Sequence, residues 1–146
     1  MVKNNGITKH AYAAGIIDGE GSIYMSRSHK SDKFKHPIIS VTSTSYEVLL
    51  FLSSLYGGTI CNQKTYKDHH KKAWLWKIEY DSVLDCLNHI YPFLLIHEKK
   101  RRADFLLKYY KKFTKRNGKY NKTALKNKVL LEYYFYHNTP PIFYER

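Results

Sequence analysis

From Tyr12 to Gly21 the chain reads YAAGIIDGEG, and this segment narrows the possible folds more than any other. In a helix, Ala11, Ala14, Gly15 and Asp18 stand at i, i+3, i+4 and i+7 and share one stripe. That stripe is nearly flat, so a facing helix can approach until the backbones touch, and a second copy of the same stripe is a self-complementary partner. Tyr12, Ile16 and Ile17 are left to anchor the helix in its own core. Glu20 follows just past the expected helix end, between Gly19 and Gly21, where the partial negative charge of the terminus favours a cation. Two such helices paired about a twofold axis bring two Glu20 carboxylates together with backbone carbonyls, an all-oxygen set that suits Mg2+. Taken singly, a G-E-G after a helix also serves as a polar turn, and a small-residue stripe as a place of tight core packing.

The surrounding pattern predicts an α+β chain. A first helix runs from a Thr8 cap to about Asp18, closed by Gly19 and Gly21 in turn conformations. SIYMSRSHK and PIISVTS are short, β-branched and partly alternating, and read as a hairpin around KSDKFKH. Thr44 to Glu47 fits a capping box for a second helix, with Val48, Phe51, Leu52 and Leu55 at helical spacing up to Gly57-Gly58. TICNQKTYK and AWLWKIEY form a second strand pair around DHHKK. Asp81 caps a short helix that Pro92 stops, and Ala103, Leu106, Leu107 and Tyr110 mark a longer one. After the turn KRNGKYN, the residues Leu125, Val129 and Tyr133 predict a last helix. The order is αββαββα followed by additional C-terminal helices.

Length and charge bound the function. The 146 residues, 43% apolar, suffice for one core of ordinary size and predict one domain over 1–146, with a core of about 8–114 and an extension of about 115–146. Against 12 Asp and Glu stand 25 Lys and Arg, a formal net charge of +13, which points to a polyanionic partner. A basic ribosome-associated or membrane-surface protein shares that property. Cys61 and Cys86 form no zinc-type run, and a reducing interior is the natural compartment. No apolar stretch approaches the roughly 20 residues that span a bilayer, and MVKNNGITKH lacks the apolar core of an export signal, so an intracellular protein without membrane partners is expected. Heavy use of Lys, Asn, Tyr and Ile suggests an AT-rich genome, as in organelles (chloroplast or mitochondrion), bacteria or phage-infected cytoplasm. Adjacent His69 and His70, with no other ligand spacing, do not make a metal site.

The segment AAGIIDGEG resembles the motif of the LAGLIDADG homing endonucleases: Ala13 stands at the usual leucine, Ile16 and Ile17 at the aliphatic pair, and Asp18 and Glu20 at the acidic positions, with Gly15 and Gly21 retained. VTSTSYEVLLFLSSLYGG, AWLWKIEY and IYPFLLIHEKKRRA carry the resemblance on to about residue 110. It implies a single-motif protein with a LAGLIDADG-type fold, in which an antiparallel four-stranded sheet binds double-stranded DNA. In that family the final acidic residue holds the catalytic metal, which carries over to Glu20, with the carbonyl of Gly19 beside it. The implied ion is Mg2+, with Mn2+ or Ca2+ as alternatives in the same place. Asp18 becomes a structural residue at the helix end. A basic residue that stabilises charge or activates water carries over to Lys99, by its spacing from Ala103, with Lys100 close behind. Where the family tends to place a water-positioning amide after the second strand this chain has Ser43, a departure, with Thr44 and Ser45 as neighbours able to take the role.

No second DGEG occurs, so cutting two strands calls for a homodimer with one Glu20 from each chain and an approximately palindromic target. A two-stranded β-ribbon fits the major groove. Period two places Tyr24, Ser26, Ser28 and Lys30 on the first strand, Ser40 and Thr42 on the second, Cys61 and Gln63 on the third and Lys77 on the fourth toward the bases, opposite Ile39, Val41, Trp74 and Trp76. Lys33, Lys35, His36, Lys71 and Lys72 fall in hairpin loops suited to phosphates. A nuclease-inactive relative that binds DNA as a regulator or intron RNA as a maturase is the alternative; the retained Glu20 argues against it.

Overall fold

Residues that alternate between apolar and polar pair into one antiparallel sheet, and the helical segments pack on one of its faces. The computed structural model describes residues 5–63 and 71–145. Its elements are α1 (Asn5–Glu20), β1 (Gly21–Ser26), β2 (His36–Ser43), α2 (Tyr46–Tyr56), β3 (Thr59–Asn62), β4 (Trp74–Glu79), α3 (Asp81–Ile90), a 3-10 turn (Tyr91–Phe93), α4 (His97–Phe113) and α5 (Lys122–Tyr136). This is the αββαββα order with helices added at the C-terminal end. The strands lie in the order β1-β2-β4-β3, all antiparallel.

One face of the sheet, with Ile23, Met25, Ile39, Val41, Trp76 and Ile78, is sealed by Ala13, Ala14 and Ile17 of α1, Leu49 and Leu52 of α2, Val83 and Leu87 of α3 and Leu106 of α4. Burial of this interleaved apolar set is the main stabilising contribution. Gly58 (φ +93) lets β3 close onto β4: a Cβ there would lie 2.5 Å from the Lys77 carbonyl and 2.6 Å from Ile78. Trp76 fixes the same corner by donating its indole N–H to the Gly57 carbonyl at 2.9 Å.

Several boundaries differ from expectation for local reasons. Helix α2 begins one residue later than the capping box requires, so Glu47 sits in its first turn without a reciprocal cap, and the Ser45 N–H is taken instead by the Ser43 hydroxyl at 3.0 Å. Asp81 is the first residue of α3 and not its cap; Tyr80 precedes it at φ 55, its ring stacked on His36 at 4.1 Å. The first strand stops at Ser26, which leaves Ser28 and Lys30 in the loop; there the Asp32 carboxylate accepts from the N–H groups of Ser28 (3.1 Å) and His29 (3.0 Å). The last helix forms, but Val129 and Tyr133 are exposed while Asn127, Lys128, Leu131 and Phe135 are buried. Residues 64–67 of the third segment, and His69 and His70, lie outside the described residues.

Helices α5 and α4 close the free edge of β1. The Tyr136 hydroxyl donates to the Met25 carbonyl (2.7 Å) and accepts from the Met25 N–H (3.0 Å), while Arg102 donates to the Ile23 carbonyl at 2.7 Å. An edge strand with satisfied backbone groups is no longer a template for another strand. Asn127 holds the tail in the same way, accepting from the Tyr144 N–H (2.8 Å) and donating to its carbonyl (2.9 Å). Among the described residues no helix is long and apolar enough to cross a membrane.

Candidate active site and nucleic-acid interface

Helix α1 continues through Glu20, so the carboxylate belongs to the last helical residue and not to a turn beyond it; β1 starts at the next residue. Neither Gly19 nor Gly21 takes a positive φ. Gly21 is needed for a different reason: a Cβ would stand 2.9 Å from both the Cα and the carbonyl oxygen of Ile17, because β1 turns back across the helix it has just left.

The flat face of α1 is rotated from the expected stripe. Ala14 is fully buried in the chain's own core, and the buried Asp18 carboxylate accepts from the Leu95 N–H at 2.8 Å and the Ile96 N–H at 3.3 Å, at the entrance to α4. These two residues are therefore committed within the chain. The solvent-facing line is Thr8, Tyr12, Gly15 and Gly19, with Ala11 and Ile16 half-buried beside it. Tyr12, expected in the core, is 64% exposed and meets the edge of Phe51. Gly15 and Gly19 have open space where a Cβ would be, one helical turn apart.

Lys99 is placed against the end of α1. Its ammonium donates to the Ile17 carbonyl at 2.8 Å and to the Asp18 carbonyl, two of the acceptors that a helix leaves unpaired at its C-terminus. Burial pushes the ammonium below its ordinary range, against the pull of the Asp18 and Glu20 carboxylates. Lys100 points elsewhere, over the Tyr91 ring at 5.6 Å. A cleft of about 500 Å3 is lined by Glu20, Ile16, Val41, Thr42, Ser43 and Ser45 among others, so that Glu20 and Ser43 line the same cleft. Ser43 is held by its bond to the Ser45 N–H.

Of the oxygen donors a divalent cation takes, Glu20 is the one side chain at this helix end that faces solvent. The Glu20 carboxylate is exposed, and it is a hard oxygen ligand at a negatively polarised helix end. Among the described residues no three His, Cys, Asp or Glu side chains cluster as a complete metal site. The donor chemistry of Glu20 fits a hard ion, and the described residues by themselves do not complete its coordination.

The face of the sheet turned away from the helices carries the expected polar residues. Register aligns Ser22, Ser40, Lys77 and Thr59 in a row across the strands, and Thr42, Leu75 and Cys61 in the next. Tyr24 and Ser26 continue it along β1, and Gln63 follows β3 with its N–H on the Ala73 carbonyl at 2.9 Å. Lys77 also pairs with Glu79 at 3.3 Å. Burial raises the Glu79 carboxyl, but its hydrogen bond to His36 and the Lys77 charge outweigh this and bring it below its ordinary value. Ser22 and Thr59 belong to the same face although the expected set leaves them out; both stand at the start of the expected strands, and period two back from Tyr24 and Cys61 includes them. Lys33, Lys71 and Lys72 are exposed in the hairpin connections, and Lys35 is half-buried with its ammonium over Tyr136 at 5.1 Å. His36, expected in the loop, is instead the first residue of β2 and is buried, within 3.2 Å of Glu79.

No protein-family model matches the sequence, and no curated protein matches it either. Solved structures do. The homing endonuclease I-CvuI, in complex with the I-CreI target in the presence of Mg, aligns with a TM-score of 0.69 over 96% of this chain and 90% of that one, at 19% identity. The archaeal intron-encoded homing endonuclease I-Vdi141I, complexed with DNA, aligns at 0.56 over 88% and 82%, with 21% identity. The LAGLIDADG homing endonuclease I-GzeII aligns at 0.59 over 84% of this chain but only 43% of its own, with 14% identity. Likeness at these identities speaks to architecture: the chain has the fold of the LAGLIDADG homing endonucleases.

Proposed function

We propose that this chain is a site-specific homing endonuclease that works as a homodimer and hydrolyses phosphodiester bonds in both strands of a long, pseudo-palindromic DNA target with divalent metal. The observation that carries the reading is the junction of α1 and β1. There one exposed carboxylate, Glu20, stands beside a lysine held on the helix end, below a helix face bare enough for a second copy, and next to a polar sheet face. Similar folds have been solved with their DNA targets, and the same unit covers 90% of one such protein and 43% of another, which supports a pairing of two units.

Two chains meet along Gly15 and Gly19, with Tyr12 and Ala11 flanking the contact. This brings two Glu20 carboxylates and two Gly19 carbonyls together to hold Mg2+, or Mn2+ or Ca2+ in its place. When bound, the cation supplies an activated water and neutralises charge on the scissile phosphate. Lys99 holds a positive charge beside that phosphate, and Ser43 orients solvent across the cleft. Tyr24, Ser26, Ser40, Thr42, Cys61, Gln63 and Lys77 face base edges from the sheet, and Lys33, Lys35, Lys71 and Lys72, with Ser28 and Lys30 from the loop, meet the backbone. The protein acts inside a cell, in an organelle, bacterium or phage-infected cytoplasm.

The test is selection of cleaved molecules from a randomised duplex library in Mg2+. The reading expects cut products that converge on one pseudo-palindrome. Intact duplexes with tight binding to intron RNA would overturn it in favour of a maturase.

A further inference from the structure

Resting on that reading, we infer that α5 and the turn before it are a specificity device: they clamp the β1–β2 loop, residues 27–35, into one shape before DNA arrives. Helix α5 holds the loop at both ends. At the exit of β1, the Tyr136 hydroxyl bridges the N–H and carbonyl of Met25. At the return, the Lys35 N–H donates to the Glu132 carboxylate at 2.6 Å, 97 residues away in sequence, and the Lys35 ammonium lies over the Tyr136 ring. Between them Phe34 is inserted against the Tyr120 ring (5.3 Å between centroids) and the buried Lys128 ammonium (5.7 Å).

The loop's own contacts complete the clamp. Asp32 ties down the N–H groups of Ser28 and His29, and the Asp32 N–H returns to the His29 carbonyl at 3.0 Å. What the clamp leaves outside is charge: Arg27, Lys30 and Lys33 are exposed and take part in no ion pair among the described residues. A loop preset in this way loses less conformational entropy on binding, and it holds its cations at a fixed spacing that matches one path of phosphates better than others. Glu132 and Tyr136 thus act through the loop as positioning residues for recognition at the outer ends of the target.

Glu132→Ala is compared with Glu132→Gln, which keeps an acceptor for the Lys35 N–H. The readouts are amide exchange at Lys35 without DNA and the sequences recovered by selection from a randomised duplex library. The expected result is Lys35 exchange about tenfold faster in the alanine variant and near wild type in the glutamine variant, as loss of one charge-assisted bond implies. Alongside it, the alanine variant should lose preference at the outer target positions about threefold to tenfold, with the centre unchanged. Equal Lys35 exchange in wild type and Glu132→Ala would overturn the clamp. Faster exchange with unaltered outer preferences would overturn its role in specificity. The wild-type selection reports the endonuclease reading separately, since a wild type that recovers no sequence fails before any variant is compared.

Discussion

A single ammonium shows how context sets a residue's role. Lys99 and Lys100 are adjacent and chemically alike, yet only Lys99 reaches the carbonyls of Ile17 and Asp18, because the turn into α4 is fastened to the Asp18 carboxylate. Lys99→Ala is expected to slow cleavage by about 100-fold or more, the usual scale for losing a positioned acid or base, while duplex affinity changes by less than about threefold; single-turnover rates and binding isotherms measure the two. Lys128 makes a different prediction. It is fully buried, bonded to Thr114 at 2.6 Å and set over the Tyr110 ring, and burial lowers it from 10.5 to about 8, against the pull of Glu132. Below pH 8 both folded and unfolded chains carry this proton, and the cost of burying the charge is paid in full. Between pH 8 and 10.5 the unfolded chain holds more protons, so stability from this group rises with pH. Lys128→Met should therefore be about 1–3 kcal/mol more stable at pH 7, with the gap closing by pH 10.5, as read from urea unfolding at both pH values. The sequence could not announce this lysine, because its burial depends on Thr114, Tyr110 and Phe34, which only the fold brings together.

Among the elements, strands were more legible than helix faces. Ile39, Val41, Trp74 and Trp76 fix the inward side of a sheet in which period two admits only two choices, and the outward set follows from them. Helix α1 is harder, since nearly every residue from Tyr12 to Ile17 is small or apolar and several stripes satisfy the same spacing. The choice among them was made by contacts distant in sequence: Asp18 with Leu95, and Ala14 with the core. The same ambiguity misplaced the buried side of α5, where apolar residues run all round the helix. For α1 the exposed line gives a direct expectation. Gly15→Leu meets open space in its own chain and should leave the monomer folded, but should raise the dimer dissociation constant by at least about tenfold, the scale of overpacking a tight contact. Sedimentation equilibrium reads it; an unchanged constant would remove Gly15 from the interface.

For the molecule as a whole, a charge of +13 and a sheet face left uncovered by the described helices give a basic surface suited to a polyanion, and the proposed DNA target would be met mainly through phosphates. Each neutralised phosphate contributes about −0.9 to the slope of log affinity against log salt. In a twofold dimer every contact occurs twice, so Lys33→Ala should make the slope shallower by about 1.8, where a monomer would lose only about 0.9. The αββαββα order was readable from spacing and turn residues, and the motif located Glu20, but the clamp of α5 on the β1–β2 loop joins residues about 100 apart and leaves no local sign. The proposed chemistry depends above all on Glu20, and the direct measurement is Mg2+-dependent cutting of a plasmid carrying the selected target by Glu20→Gln, alongside its binding to the same duplex. Binding within a few-fold of wild type with no linear product is the predicted result. Linear product formed at close to the wild-type rate would contradict it.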